Sequence, residues 1–134
     1  MTVFLTSSPT GPLGVPCDVP GLDGSNGFVE LLRARWPERA RCLMIAAFPA
    51  SHARNDQMTW FYHEAVKNTG LSVACLDLWD DRTPPMTREQ LHAYGVIFTA
   101  GGHVPTQRRW FEAIGLRSCW RAIPDWWWAP APAP

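Results

Sequence analysis

The sequence predicts an α/β fold with a parallel central sheet, because strands and helices are expected to alternate along the chain. Short apolar runs bounded by turn residues are typical of strands that are buried on both faces of a sheet. Between these runs, apolar residues recur at helical spacing, with capping residues before them and glycine or proline after them. This alternation favours parallel strands with helices on both faces.

The first strand is expected in the apolar run at residues 3–6. A loop rich in Pro and Gly follows at residues 7–26, and such a loop usually lies over a site or is poorly ordered. Residues 27–35 carry apolar side chains at helical spacing. Pro37 is expected to stop this first helix.

The second strand is predicted at residues 41–47, a continuous apolar run. Asn55 or Asp56 can cap a following helix that extends through Asn68. Gly70 is expected to end that helix, since a left-handed residue commonly follows a helix.

The third strand is predicted at residues 72–78 and the fourth at residues 95–99. Between them, Thr87 is expected to cap a short helix, because Glu89 and Gln90 follow it at capping-box spacing. The predicted order is therefore β-α-β-α-β-α-β.

Length and composition describe one globular domain. The chain has 134 residues, of which 46% are hydrophobic and 18% charged. Its 12 basic and 12 acidic residues cancel, which argues against a nucleic-acid partner and against an electrostatic membrane anchor. A small molecule or another protein is the expected partner.

The four cysteines, Cys17, Cys42, Cys75 and Cys119, have no CxxC or Cys/His metal spacing. We therefore expect free thiols, no bound metal and no cofactor. The sequence shows neither a secretory leader nor an apolar stretch long enough to span a membrane. A reducing cytoplasmic location is the resulting prediction.

The strand predicted at residues 95–99 runs into a segment with two adjacent glycines, Ala100-Gly101-Gly102-His103-Val104-Pro105-Thr106-Gln107. In open α/β sheets, ligands bind beyond the carboxyl ends of the strands. Paired glycines there let the backbone approach a ligand and direct N–H groups at a developing oxyanion. The alternative interpretation is a tight turn without a ligand.

Two side chains of the same segment are candidates for this site. His103 could line it or form a local hydrogen bond. Gln107 could bind substrate or cap the helix that is expected to start there.

Other polar residues are weaker candidates. Asp77, Asp80 and Asp81 are expected to follow the third strand, where acids often contact ligands, although solvated loop acids are the favoured interpretation. His52, Asp56 and His63 are spread over a loop and a helix, and a solvated pair of Asp56 with His63 is the simplest reading. No glycine elbow surrounds Cys119, so it is not expected to be a nucleophile.

The final residues, 126–134, are three tryptophans followed by alternating Ala and Pro. Tryptophan has a single codon, so reading from the third base of the Asp125 codon must give Leu-Val-Val-Gly. The Ala and Pro codons then allow Thr-Ser-Ala-Gly-Ser, and a strand ending in Gly-x-Ser-x-Gly is a nucleophile elbow. We therefore expect a frame change near Cys119, with an out-of-frame tail at residues 119–134 and a fifth strand encoded in the other frame. The alternative is a genuine Pro-rich spacer or ligand segment.

Three segments together resemble the dipeptidase E and cyanophycinase family of serine hydrolases. They are Met1-Thr-Val-Phe-Leu-Thr-Ser-Ser-Pro, Asn26-Gly-Phe-Val and, above all, the segment from Ala100 to Gln107. The closest likeness is to small bacterial members described as peptidase E or type 1 glutamine amidotransferase-like proteins. The resemblance covers roughly residues 1–117, and residues 1–118 are taken as the N-terminal part of such a domain.

The resemblance implies a flavodoxin-like fold, a serine nucleophile in a Gly-x-Ser-Ala-Gly elbow, a later histidine and an oxyanion hole. Gly101 and Gly102 match the family's glycine loop, so it implies an oxyanion role for their backbone N–H groups. The sequence contains no Gly-x-Ser-x-Gly, and no catalytic residue is therefore assigned in this chain.

Three functions follow as hypotheses. The first is the N-terminal fragment of a serine hydrolase whose complete form acts on a small peptide or amide substrate, the fragment being inactive and the protein a possible homodimer. The second is a glutamine amidotransferase-like amidase, which needs cysteine at the elbow. The third is a non-catalytic α/β binding module with a Pro-rich tail.

Overall fold

The computed structural model describes residues 2, 4, 9–10 and 20–119 of the chain. The predicted first strand lies mostly outside these residues, and Phe4, its described member, has no regular secondary structure. The predicted fifth strand and residues 120–134 of the tail also lie outside the described residues.

The described chain alternates helices and strands after a short 3-10 turn at Ser25–Gly27. The strands are β1 (Ala40–Ile45), β2 (Val73–Trp79) and β3 (Val96–Thr99). The helices are α1 (Phe28–Arg33), α2 (His52–Asn68), α3 (Arg88–His92), α4 (Val104–Ala113) and α5 (Leu116–Cys119). None of these helices is long and apolar enough to cross a membrane.

The three strands form one parallel sheet in the order β2-β1-β3. Met44 in the central strand lies opposite Leu78 on one side and Phe98 on the other. The sheet confirms the predicted α/β fold with a parallel central sheet. Three parallel strands in this order, with helices between them, are consistent with a flavodoxin-like arrangement.

Successive strand residues point to opposite sides of the sheet, so apolar side chains lie on both faces. Helices cover both of these faces. Leu43 and Ile45 are fully buried on the face that α3, α4 and α5 cover. Met44 points to the other face, where Met58 and Tyr62 of α2 pack against it. The molecule therefore has three layers, as predicted.

Two local signals act as the sequence predicts. The Thr87 hydroxyl accepts a hydrogen bond from the Gln90 N–H, and the Gln90 side chain accepts one from the Thr87 N–H over 2.8 Å. This capping box starts α3. Gly70 follows α2 with φ +82°, a conformation that glycine adopts without strain.

The predicted start of α2 is wrong. The helix begins at His52, with Ser51 at the N-cap, and the Asn55 N–H already donates to the Ser51 carbonyl. The residues after Ser51 are compatible with a helix, so it starts a turn earlier than the cap residues suggested. The side chain of Asn55 is thereby free to bond elsewhere.

The strand boundaries also differ from the prediction by one or two residues, and the C-terminal ends of β1 and β2 matter for the site. β1 ends at Ile45, and Ala46 and Ala47 continue buried into the loop that leads to α2. β2 extends to Trp79, so Asp77 lies within the strand and does not follow it. The apolar runs located the strands but not their ends, because burial continues past the last ladder residue.

The chain that precedes α1 is held at the C-terminal end of α2. The Leu22 N–H donates to the Thr69 hydroxyl over 3.0 Å, and the Asn68 side-chain amide donates to the Pro20 carbonyl over 2.9 Å. The Thr69 hydroxyl in turn donates to the Ala65 carbonyl inside the helix. These bonds fix residues 20–22 against the last turn of α2.

Candidate functional site

Three loops meet at the carboxyl edge of the sheet, because all three described strands run in the same direction. The loop after β1 contains Ala47 and Phe48, the loop after β2 contains Asp80, and the loop after β3 contains Gly101 and Gly102. This is the edge where open α/β sheets bind ligands. It is also the edge at which the predicted site residues lie.

The residues Ala100–His103 form the glycine loop between β3 and α4. Ala100 is buried, and its N–H donates to the Ile45 carbonyl over 2.9 Å, which continues the pairing of β3 with β1. Within the described part of the chain, the N–H groups of Gly101 and Gly102 have no hydrogen-bond partner. Two backbone donors therefore remain available at this edge.

The two glycines have different surroundings. A Cβ built on Gly101 would meet no atom within 4 Å. A Cβ built on Gly102 would lie 2.7 Å from the Ala47 Cβ and 2.7 Å from Cε2 of Phe48. Gly102 is therefore required by the close approach of the loop that follows β1, whereas the space beside Gly101 is open.

Of the two roles considered for His103, the side chain forms the local hydrogen bond. Its Nδ1 lies 2.9 Å from the Thr106 hydroxyl, one turn into α4. Its side chain does not cap the helix, although the residue occupies the N-cap position. The His103 side chain is exposed, and the His103 carbonyl accepts a hydrogen bond from the Gln107 N–H over 3.0 Å.

Gln107 lies inside α4 and does not cap it, because the helix begins at Val104. The side-chain amide donates to the Ala100 carbonyl over 2.6 Å. This bond ties the first turns of α4 to the start of the glycine loop. Of the two roles considered for Gln107, capping is wrong, because the N-cap is His103, four residues earlier, and Pro105 is accommodated in the first turn.

Asp80 is buried, which corrects the prediction of a solvated acid. It is 1% exposed, and its carboxylate accepts hydrogen bonds from the Arg82 backbone N–H, from the Arg82 guanidinium at 2.7 Å and from Asn55 Nδ2 at 3.2 Å. Burial alone would raise the pKa of Asp80, but these hydrogen bonds outweigh it and lower the pKa below the ordinary value of 3.8. The carboxylate is therefore ionised and fully satisfied.

Asn55 and Arg82 extend this network on either side, and sequence reasoning missed both roles. Asn55 is 1% exposed and also donates to the Phe48 carbonyl over 3.0 Å. Arg82 reaches outward to Asp56 over 2.6 Å and lowers the pKa of that carboxyl. The only sequence signal was the charged triplet at residues 80–82 directly after an apolar strand.

The remaining candidates are not brought together. His52 Nε2 contacts the carboxylate of Asp81 at the surface, and His63 Nδ1 lies 3.4 Å from Glu64. Asp56 pairs with Arg82, so the expected pair of Asp56 with His63 is absent from the described residues. Asp77 accepts a hydrogen bond from the Tyr94 hydroxyl over 2.7 Å, on the α3 side of the sheet.

The described cysteines, Cys42, Cys75 and Cys119, are free thiols. Burial raises the pKa of Cys42 to about 12, so this thiol stays protonated. The Cys119 thiol donates to the Met86 carbonyl over 3.4 Å. Among the described residues, no cluster of His, Cys, Asp and Glu could hold a metal ion.

Two surface cavities lie away from the glycine loop. One of about 320 Å³ is lined by Arg41, Gln90, Tyr94 and the segment 83–86, and one of about 290 Å³ by residues of α4 and α5. Both are shallow and broadly open to solvent. The glycine loop is the better candidate site because two of its N–H groups lack a partner among the described residues and lie at the ligand-binding edge.

Comparison with known proteins adds no relative: no family model matches the chain, and neither a curated protein nor a solved structure is similar to it. The resemblance to serine hydrolases therefore stays a prediction from the three segments quoted above.

Proposed function

We propose that residues 1–118 are the N-terminal part of a serine-type hydrolase of the peptidase E kind, which acts on peptide or related amide bonds. The observation that carries this proposal is the glycine loop. It follows a parallel strand at the carboxyl edge of the sheet, and two of its backbone N–H groups are without a partner among the described residues. The quoted sequence likeness supports the same assignment.

In such a hydrolase, attack of the serine on the scissile carbonyl places negative charge on the carbonyl oxygen. Fixed N–H donors stabilise that charge because they need no reorganisation during the reaction. Gly101 and Gly102 supply the donors in this proposal. The nucleophile comes from the elbow in the other reading frame, so the chain as printed lacks hydrolytic activity.

A cytoplasmic location belongs to the same proposal. The three described cysteines are unpaired, which suits a reducing compartment. The substrate is a small peptide or amide, and no metal or cofactor takes part.

The gene from codon 115 onward provides the test. Restoring one base near codons 117–119 should recreate Leu-Val-Val-Gly-x-Ser-x-Gly, and a serine-directed phosphonate should then label the elbow serine. A cysteine codon at that position would favour the glutamine amidase instead. A stop codon immediately after the repair would refute the proposal.

The repaired enzyme allows the oxyanion role to be tested with a matched pair. Gly101→Pro removes one backbone donor, and we expect the hydrolysis rate to fall about a hundredfold or more. Gly101→Ala keeps the N–H and fills open space, so it should retain most of the activity. Equal activity in both variants would contradict an oxyanion role for Gly101.

A further inference from the structure

Phe48 forms the surface on which the glycine loop rests. Its ring lies against the position that a Cβ on Gly102 would occupy, with Cε2 at 2.7 Å and Cζ at 3.2 Å from that position. The loop that contains Phe48 belongs to the central strand, whereas Gly102 follows the neighbouring strand β3. The position of one loop therefore depends on the other.

Phe48 is itself held from two sides by α2. The Asn55 side-chain amide donates to the Phe48 carbonyl over 3.0 Å, and Asn55 is fixed in turn by the buried carboxylate of Asp80. The guanidinium of Arg54 lies over the Phe48 ring, 4.8 Å from its centroid. Backbone and ring are thus restrained by consecutive residues of one helix.

A glycine pair is mobile unless neighbouring atoms restrict it, because glycine has the largest conformational freedom of any residue. In the described residues, Gly101 and Gly102 form no backbone hydrogen bonds that could restrict them. The residues on either side of the pair are held, Ala100 by Ile45 and Gln107, and His103 by the first turn of α4. At Gly102 itself, the restraint is contact with Ala47 and Phe48.

We propose that Phe48 is a positioning residue for the glycine loop, and that Asn55 and Arg54 hold Phe48 in place for this purpose. The catalytic meaning of this inference rests on the proposed function, because oxyanion donors act only when their direction is fixed. Phe48 would touch neither substrate nor nucleophile. Phe48 acts through its contact with Gly102, and this contact fixes the direction in which the two N–H groups point.

The test measures backbone motion by ¹⁵N relaxation in the full chain of 134 residues, so it does not depend on the hydrolase assignment. In Phe48→Leu, we expect the heteronuclear NOE of Gly101 and Gly102 to fall, while that of β1 is unchanged. Phe48→Tyr keeps the ring and should retain the parent values. A purely structural role would lower stability in Phe48→Leu without singling out the two glycine amides.

Arg54→Ala provides a second variant, because Arg54 is exposed and changes at exposed positions usually alter stability little. It should lower the same two NOE values by a smaller amount. Lys67→Ala, on the far end of α2, is the control and should leave them unchanged. Unaltered Gly101 and Gly102 amides in folded Phe48→Leu, or in Arg54→Ala if Phe48→Leu does not fold, would overturn the positioning role.

Discussion

Asn55 and Asp80 form a hydrogen bond inside the molecule, with Nδ2 of Asn55 3.2 Å from Oδ2 of Asp80 and each residue 1% exposed. The bond joins the first turn of α2 to the residue that follows β2. Because Asn55 also donates to the Phe48 carbonyl, one buried carboxylate connects the loops that follow β1 and β2.

Replacing Asp80 with alanine should destabilise the protein, whereas the same replacement at the neighbouring Asp81 should have little effect. Asp80→Ala removes one acceptor of the Asn55 amide and the acceptor of the Arg82 N–H, and we expect a loss of about 1–3 kcal/mol in the free energy of unfolding. Asp81→Ala alters an exposed residue and should stay within about 0.5 kcal/mol. Urea denaturation measures both, and equal losses would contradict the network.

The stability should depend on pH through Asp80. Its pKa is lower in the folded protein than its ordinary value of 3.8, so the folded state binds fewer protons than the unfolded state between those two pKa values. The contribution of ionised Asp80 to the free energy of unfolding is therefore complete above about pH 4–5. It is lost as the pH falls through the folded-state pKa of Asp80. We expect Asp80→Asn to be less stable than the parent at neutral pH, with the difference shrinking at acid pH. A difference that stays constant from pH 7 to pH 3 would exclude this linkage.

The two adjacent glycines should respond differently to alanine. Gly102→Ala places a Cβ 2.7 Å from Ala47 and Phe48, and overpacking of this kind costs about 1–3 kcal/mol. Gly101→Ala has open space and should change the unfolding free energy by less than about 0.5 kcal/mol. The midpoints of urea unfolding compare them directly, and a larger loss at Gly101 would invalidate the described packing of the loop.

The thiol of Cys42 should be unreactive in the folded chain. It is 1% exposed, and burial raises its pKa to about 12, so neither access nor the thiolate form is available. Alkylation followed by mass spectrometry should modify Cys42 only after urea unfolds the protein. Cys119 is partly exposed and serves as the internal comparison. Rapid labelling of Cys42 in native buffer would show that β1 is open to solvent.

The sheet was predictable because burial on both faces leaves continuous apolar runs, as at Leu43, Met44 and Ile45. The capping box at Thr87 was predictable because its two hydrogen bonds are local. The start of α2 was not, since a cap-forming side chain such as Asn55 serves equally well as a buried donor when the helix begins earlier. That choice depends on Asp80, which is 25 residues away in sequence.

The position of the glycine loop followed from the strand that precedes it. The individual roles of its two glycines did not, because Gly102 is constrained by Phe48 across the sheet edge. The pairing of Arg82 with both Asp80 and Asp56 was likewise out of reach, since charge alone does not indicate which acid is buried. Local signals therefore gave the element order, and long-range contacts decided the side-chain roles.

The hydrogen bond between Leu22 and Thr69 has a consequence for access to the carboxyl edge. Helix α2 has 17 residues and so measures about 25 Å from end to end. Residues 20–22 are anchored at its last turn, while the glycine loop neighbours its first turn through Phe48. A molecule diffusing toward Gly101 thus arrives along a path that this anchored stretch does not obstruct.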